Sequence, residues 1–314
     1  MRTIFIGGCD RSGTTLLGSM LGGAKNCIAT PESQFKTAIL PYCRKKDGTV
    51  DVRLASRRIV KHWRFKLWGL RESDYDWVLQ ISSSYSELIG NLVKAYAIKI
   101  GKTDAIVWID HTPNNLQYAE TLLNFFPEAK FVHIVRDGRA GAASVIPLDW
   151  GPNTIIHAAH WWVERIAFGL AAESFLGPQR IIRVKYEDLL RKPEIILHQL
   201  CNFFDIKFNP EMLEGKGFIP PQYTRSQHRL IGRKPDLTRL EAWRTKLSSR
   251  EIEIFEALTG DFLVYLGYKP LYGILAKGPN RKERALSNML EFWKKRFVNR
   301  FRYWIRQNVM RELM

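Results

Sequence analysis

Cysteine is scarce in this 314-residue chain, and its four occurrences (Cys9, Cys27, Cys43 and Cys201) stand far apart with no CxxC step. That spacing speaks against a disulfide scaffold and against a Cys-rich zinc site. Long apolar runs are missing too: no stretch approaches the roughly 18 residues that span a bilayer. Residues Met1–Ile6 run straight into a glycine-rich segment, so the expectation is a chain without a signal peptide. There are no internal repeats and no low-complexity tracts. Acid is in deficit, with 31 Asp+Glu against 48 Lys+Arg and a formal charge of +17. This balance calls for an acidic partner, whether a nucleotide, a sulfated or phosphorylated ligand, nucleic acid or an anionic membrane. No nucleic-acid-binding module is visible, so nucleic acid is not expected. What the chain does have is apolar material, 46% hydrophobic and 12% aromatic, enough for a large core and too much for disorder. The plain reading is a reduced, cytoplasmic, enzyme-sized protein.

Short β-branched runs (Thr3–Gly7, Ile28–Thr30, Ile106–Ile109, Phe131–Val135 and Ile181–Val184) alternate with helical patterns at Gly13–Gly22, Tyr85–Ile100, Asn114–Phe126 and Ile155–Phe175. The alternation predicts an α/β fold, a central parallel sheet with helices on both faces. Ligands of such sheets collect at the carboxyl ends of the strands. Cys43–Arg71 and Phe218–Leu237 read as loops, the second long and basic. Ser249–Leu266 reads as the last helix of a domain over residues 1–270, and residues 271–314 as a separate basic tail.

The first strand leads into Gly8-Cys9-Asp10-Arg11-Ser12-Gly13-Thr14-Thr15 and then a helix. A glycine-rich turn at a helix N-terminus offers an anion free N–H groups and the positive end of a dipole. The Gly8-to-Gly13 spacing is that of a P-loop, but Thr14 stands where the lysine belongs. That argues against a P-loop kinase acting on a small hydroxyl compound, the main enzymatic alternative. The plainer reading of the turn is a tight turn alone. A second signal, Arg136-Asp137-Gly138-Arg139-Ala140 with Ser144, follows the fourth strand. Arginine there offers forked donors to a phosphate, and the alternative is an Arg–Asp pair capping a helix.

Arg11-Ser-Gly-Thr-Thr-Leu16, Asp110-His-Thr-Pro113, Arg136-Asp-Gly-Arg-Ala140 with Ser144, and Tyr186-Glu-Asp-Leu189 occur in this order. Together they resemble the sulfotransferases that use 3′-phosphoadenosine-5′-phosphosulfate (PAPS), in particular the tyrosylprotein sulfotransferase branch and its bacterial relatives, over roughly residues 1–270. The resemblance implies a P-loop-like three-layer fold and transfer of a sulfuryl group to a hydroxyl acceptor: a protein tyrosine, a carbohydrate or a lipid. It implies that Arg11, Ser12, Gly13, Thr14 and Thr15 cradle the 5′-phosphosulfate. Arg136 and Ser144 would hold the 3′-phosphate, Tyr186 would lie against the nucleoside, and Ser226 and Arg233 would close over it. A family arginine twelve residues after Arg136 has no counterpart, since Leu148 stands there.

Sulfuryl transfer moves a group with one negative charge, where phosphoryl transfer moves about two, so fixed cationic donors suffice and no metal is expected. The remaining tasks are alignment and removal of the acceptor's proton. Glu32 follows the second strand and lies 21 residues after Arg11, where the tyrosylprotein branch has its catalytic glutamate. Arg11 nearby is expected to lower its pKa; the plainer role for Glu32 is a helix cap after Pro31. His111 stands where relatives carry a lysine. Protonated it would stabilise the bridging oxygen; neutral it would serve as the base; it also fits a purely structural role.

His157, His160 and Glu164 share one helix face, a metal-like spacing that more often marks a polar face. From Lys277 onward there are eleven Lys/Arg against three Glu. Leu286, Leu290, Trp293, Phe297, Phe301, Trp304, Val309 and Leu313 recur at helical spacing beside Lys294, Lys295, Arg296, Arg300, Arg302 and Arg306. Such a helix suits an anionic membrane surface, and a peripheral position on the inner face of a membrane is expected. The other expectations are that the stripe docks on the domain or on a second subunit.

Overall fold

The computed structural model describes residues 1–220, 232 and 237–311, with side chains as far as 305. The expected Ser226 and Arg233 lie outside the described residues. Five strands, β1 (Arg2–Gly8), β2 (Cys27–Ala29), β3 (Val107–Asp110), β4 (Lys130–Val135) and β5 (Ile181–Lys185), form one sheet in the order β2-β3-β1-β4-β5. Every pairing is parallel. Both faces are covered, as parallel sheets require, so the strands are apolar on each side. Ile4 and Ile6 of β1 join Val132, Ile134, Val107 and Ile109 under one helical layer. Phe5 points the other way, onto Trp108 and Phe131.

Helix α1 (Thr14–Leu21) covers the first face, while α2 (Tyr85–Lys99) belongs to the second. Helices α3 (Gly138–Val145), α4 (Ile155–Leu176) and α5 (Ser249–Tyr265) share a third cluster around Trp162 and Phe255. The chain runs outward from β1 to β2, returns through β3, and crosses to β4 on the far side of β1. Central β1 is therefore the point where the strand order reverses, the place at which such sheets open a ligand crevice.

Two expectations need correction. Cys43–Arg71 is not a loop: it holds helices Val52–Lys61 and Trp63–Lys66. Asp51 caps the first by accepting from the Leu54 N–H at 2.9 Å, and Ile59, Phe65 and Trp68 carry the segment into the core. The expected Asn114–Phe126 helix begins as a 3-10 segment, Pro113–Tyr118, before the α-helix Ala119–Phe125. There Asn115 is pulled against the sheet, donating to the carbonyls of Ile6 at 3.0 Å and Asp110 at 3.1 Å.

The tail is helical: α6 (Arg281–Trp293), a π-helical stretch Lys294–Val298, and α7 (Asn299–Arg311). Among the described residues its aromatic stripe, Trp293, Phe297, Phe301 and Trp304, does not dock on the domain. A polar face does, through Ser287, Glu291 and Asn299.

Candidate active site

The sheet register decides what meets at its carboxyl edge. Gly8 pairs with Ile134 and Val135 with Lys185, so the loops carrying Arg11, Arg136 and Tyr186 leave side by side. In the first loop Arg11 holds φ 69°, a left-handed conformation that a long L-residue adopts only under constraint. Its Nε donates to Ser144 Oγ at 3.2 Å. Gly13 follows at φ 95°, where a Cβ would stand 2.4 Å from the Tyr186 ring, so the loop and the tyrosine fit only because this residue is glycine. Gly13 is also the N-cap of α1 and supplies no side-chain cap, which leaves the first turn's N–H groups to an anion. Ser12, Thr14 and Thr15 are buried in this turn.

Arg136 reaches across from β4. Its Nη1 donates to the Arg11 carbonyl at 2.8 Å and its guanidinium lies 4.6 Å from the Tyr186 ring centroid. Its Nε is buried without a hydrogen-bond partner, a donor aimed into the protein that an anionic oxygen would satisfy. Burial most of all, and then the Arg136 charge, push Arg11 below the usual guanidinium range, against the opposing fields of Asp10 and Glu32. The capping reading of Arg136-Asp137 falls to a neighbour. Asp137 does cap α3, but its charge partner is Arg139, whose Nη2 stands 2.7 Å from Asp137 Oδ2 and whose Nη1 donates to Glu256. Arg136 is thereby released for another role. Leu148 lies in the turn after α3 and brings no charge to replace the absent family arginine.

Glu32 does not cap a helix; Gln34 holds that position for Phe35–Ala38. Its Oε2 pairs instead with Arg64 Nη2 at 3.1 Å, from the segment expected to be a loop. The expected lowering of its pKa by Arg11 is reversed in sum. Burial raises it most, Asp110 adds to the rise, and the Arg64 guanidinium is the main opposing charge, ahead of Arg11. Asp10, inside the first loop, is pushed up to about 6 by burial and by the Glu32 charge, so the two carboxylates share one field.

His111 is buried between α1 and Phe218. A Cβ on Gly18 would lie 2.8 Å from it, and the Phe218 ring centroid is 4.8 Å away. Burial pushes its pKa down to about 4, which favours the neutral imidazole over the protonated, lysine-like reading. Neither ring nitrogen meets a side-chain partner, while the backbone of His111 and of Thr30 favours the charged form against that burial, so the enclosure suits a base and a structural histidine alike.

The loops bearing Glu32 and His111 are fastened by a network that sequence reasoning missed. Lys36 Nζ lies 2.8 Å from Asp110 Oδ2 and donates to Asn115 Oδ1 at 2.7 Å. Asp110 also accepts from Ser33 Oγ, from the Thr112 hydroxyl at 2.6 Å and from the Thr112 N–H at 2.8 Å. Thr112 Oγ1 takes the Ser33 N–H at 2.9 Å. The Lys36–Asp110 pair is fully enclosed, so Lys36→Met leaves a buried carboxylate unpaired. We expect a loss of about 3–5 kcal/mol of stability, measured by denaturant unfolding. Adding Asp110→Asn should cost less than the sum of the two single changes.

The remaining sequence candidates scatter. His157 Nδ1 sits 2.9 Å from Thr154 Oγ1 and 3.3 Å from Ser287 Oγ in the tail contact, while Glu164 pairs with Arg165 at 3.7 Å. Among the described residues no three His, Cys, Asp or Glu side chains converge as a metal site. Arg165 had given no signal, because it lies mid-helix on α4, yet its charge bears on both Cys9 and Asp10. Glu187 was missed as well: it accepts from the Asp137 N–H at 3.0 Å and from the Tyr268 hydroxyl at 3.0 Å, binding the second and third loops together.

A profile of the sulfotransferase family matches residues 3–210. Protein-tyrosine sulfotransferase A of Caenorhabditis elegans is 26% identical over 226 residues, 69% of this chain and 53% of that protein. The protein-tyrosine sulfotransferase of Drosophila melanogaster is 25% identical over 70% of this chain and 41% of its own. The chain thus spans about half the length of these relatives. Nodulation protein NoeE of Sinorhizobium fredii is 24% identical over 92% of this chain and 73% of its own. The sulfotransferase domain of the Synechococcus olefin synthase shares the fold, with a TM-score of 0.64 over 86% of this chain and 95% of that domain at 20% identity. The three converging loops lie inside the matched region, which is well over half the sequence, and the chain belongs to the sulfotransferase family.

Proposed function

We propose that this protein transfers a sulfuryl group from PAPS to a hydroxyl acceptor. The observation that carries the reading is the junction of loops: Arg11 touches Ser144, Arg136 touches Arg11, and Tyr186 lies against both Gly13 and Arg136. Two cationic anchors that meet in one enclosure suit a ligand with anionic groups on both sides of a nucleoside. PAPS, when bound, supplies a sulfuryl group that leaves by in-line displacement with adenosine 3′,5′-bisphosphate as the other product. In this reading Arg11 and the first turn of α1 hold the 5′ end, Arg136 and Ser144 the 3′-phosphate, and Tyr186 the nucleoside. Glu32 takes the acceptor's proton at Oε1 while Arg64 holds Oε2. His111, neutral in its enclosure, is the second base. Ser226 and Arg233 are proposed to contribute to the nucleotide side.

The acceptor class follows from relatives only as a range. Protein-tyrosine sulfotransferases among them favour a tyrosine hydroxyl; a carbohydrate and a lipid hydroxyl are the other two classes. Transfer of labelled sulfate from PAPS into lysate fractions identifies it by which fraction takes up label. A thermal-shift comparison tests the reading against a P-loop kinase. Adenosine 3′,5′-bisphosphate should raise the melting temperature more than ATP with magnesium at equal concentration, because each ligand stabilises the native state by RT ln(1 + [L]/Kd) and the tighter one stabilises it more. A larger shift with ATP and magnesium would overturn the proposal. A normal shift with the bisphosphate and no transfer to any fraction would make the protein a nucleotide binder.

A further inference from the structure

We propose that the C-terminal rod is a platform that adsorbs to an anionic lipid surface through its aromatic face. An amphipathic helix ordinarily packs its apolar side on the domain, and this one is mounted the other way round. Its polar side faces the domain. Glu291 Oε2 accepts from the Asn153 N–H at 2.8 Å, Ser287 Oγ lies 2.8 Å from Thr154 Oγ1, and Asn299 Nδ2 donates to Asn153 Oδ1 at 3.1 Å. Those three tail residues retain 7%, 4% and 7% exposure for Ser287, Glu291 and Asn299. At the upstream end Arg250 donates to Glu283 through Nε at 2.8 Å and Nη2 at 2.9 Å.

With that side fixed, the rings are held outward. Trp293 is 57% exposed, Phe297 53%, Phe301 62% and Trp304 61%. A contiguous aromatic stripe left in water is a binding surface that has not met its partner. Its surroundings identify the partner. Arg296, Arg300 and Arg302 are exposed on the same rod. The described acidic residues of the rod are already engaged, Glu283 by Arg250 and Glu291 by Asn153 and Lys295. A groove of about 500 Å³ beside the rod is lined by Arg296 and Arg300 together with His157, Phe292 and the paired Glu291 and Lys295, leaving two arginines for an acidic headgroup. Aromatic rings with flanking arginines match the interface of an anionic bilayer, and each nearby basic residue strengthens adsorption about fivefold. A second copy of the same face would set arginines against arginines, which charge repulsion opposes. Among the described residues no helix is long and apolar enough to cross a membrane, so adsorption in the plane is the mode the rod allows.

Flotation of the full chain with vesicles tests this, using three parts phosphatidylcholine to one part phosphatidylglycerol against phosphatidylcholine alone. The chain should partition at least tenfold more strongly onto the anionic vesicles, and the preference should shrink as salt is raised. Trp293→Ser/Phe297→Ser/Trp304→Ser should lower binding at least tenfold with an unchanged melting temperature, because these rings are not part of the docked face. Arg300→Ser/Arg302→Ser should reduce binding and flatten the salt dependence. Equal binding to both vesicle types, or full binding by the triple variant, would overturn the proposal. So would self-association in solution that the triple variant abolishes while vesicles recruit nothing.

Discussion

Arg11→Ala should abolish transfer from PAPS, with turnover reduced at least about a thousandfold. Three properties meet at this residue. Its guanidinium reaches Ser144, its carbonyl is the acceptor for Arg136, and its backbone sits in the left-handed region. Deleting the side chain removes the cation that the first loop brings to the developing charge on the leaving phosphate. A preorganised donor of this kind is typically worth about 10²–10³-fold, and a charged one in a buried enclosure exceeds a neutral one. Alanine keeps the strained φ, so part of any stability change would come from the backbone. Arg11→Gly relieves the strain and should be equally inactive, which separates loss of the cation from loss of the fold. The readouts are single-turnover transfer and calorimetric affinity for adenosine 3′,5′-bisphosphate. Substantial turnover in both variants would sink the assignment.

Glu32→Ala should leave bisphosphate binding intact and cut turnover at least about a hundredfold, the range for loss of a general base. The two effects separate because Glu32 rises from the strand on the far side of β3 and makes no contact with Arg136, Ser144 or Tyr186 among the hydrogen bonds described. The pH profile adds a sharper test. Glu32 must be ionised to accept a proton, so activity is lost as pH falls through its pKa, and burial has raised that value. Arg64 is the main charge holding it down. In Arg64→Ala the acid limb of kcat/KM should therefore move to higher pH, whereas Arg64→Lys should restore most of its position. If His111 were the base, the limb would fall near its own value of about 4 and Arg64→Ala would move it upward as well, since a neighbouring cation depresses an imidazole too, so the two bases are told apart by whether Glu32→Ala abolishes the limb. Retained turnover in the Glu32 variant would pass the role to His111 or to water.

Much of this arrangement could be read in the chain itself. The five strands were legible because a buried parallel sheet writes itself as short β-branched runs, and the α1 turn because glycine at two fixed places is a backbone requirement. The loops of Arg11 and Arg136 were legible because each follows a strand end, while Tyr186 was named only through the family resemblance. Residues such as Arg64, Arg165, Lys36 and Glu187 were not. Each sits within a helix, where a charged side chain looks like a solvated one until the packing shows what it faces. The segment holding Arg64 was misread outright, because its charge density hid the helical spacing of Leu54, Ala55 and Ile59.

The sequence by itself determined the fold class, the order of the strand-end motifs and the presence of an amphipathic tail, since all three rest on local periodicity and turn chemistry. Tertiary structure decided the direction of the Glu32 and His111 shifts, the division of labour between Arg136 and Arg139, and which side of the tail faces out. Those are questions of burial and of distance between residues far apart in the chain. A charge buried among charges can be pushed either way, and only the three-dimensional sum of desolvation and neighbouring fields says which.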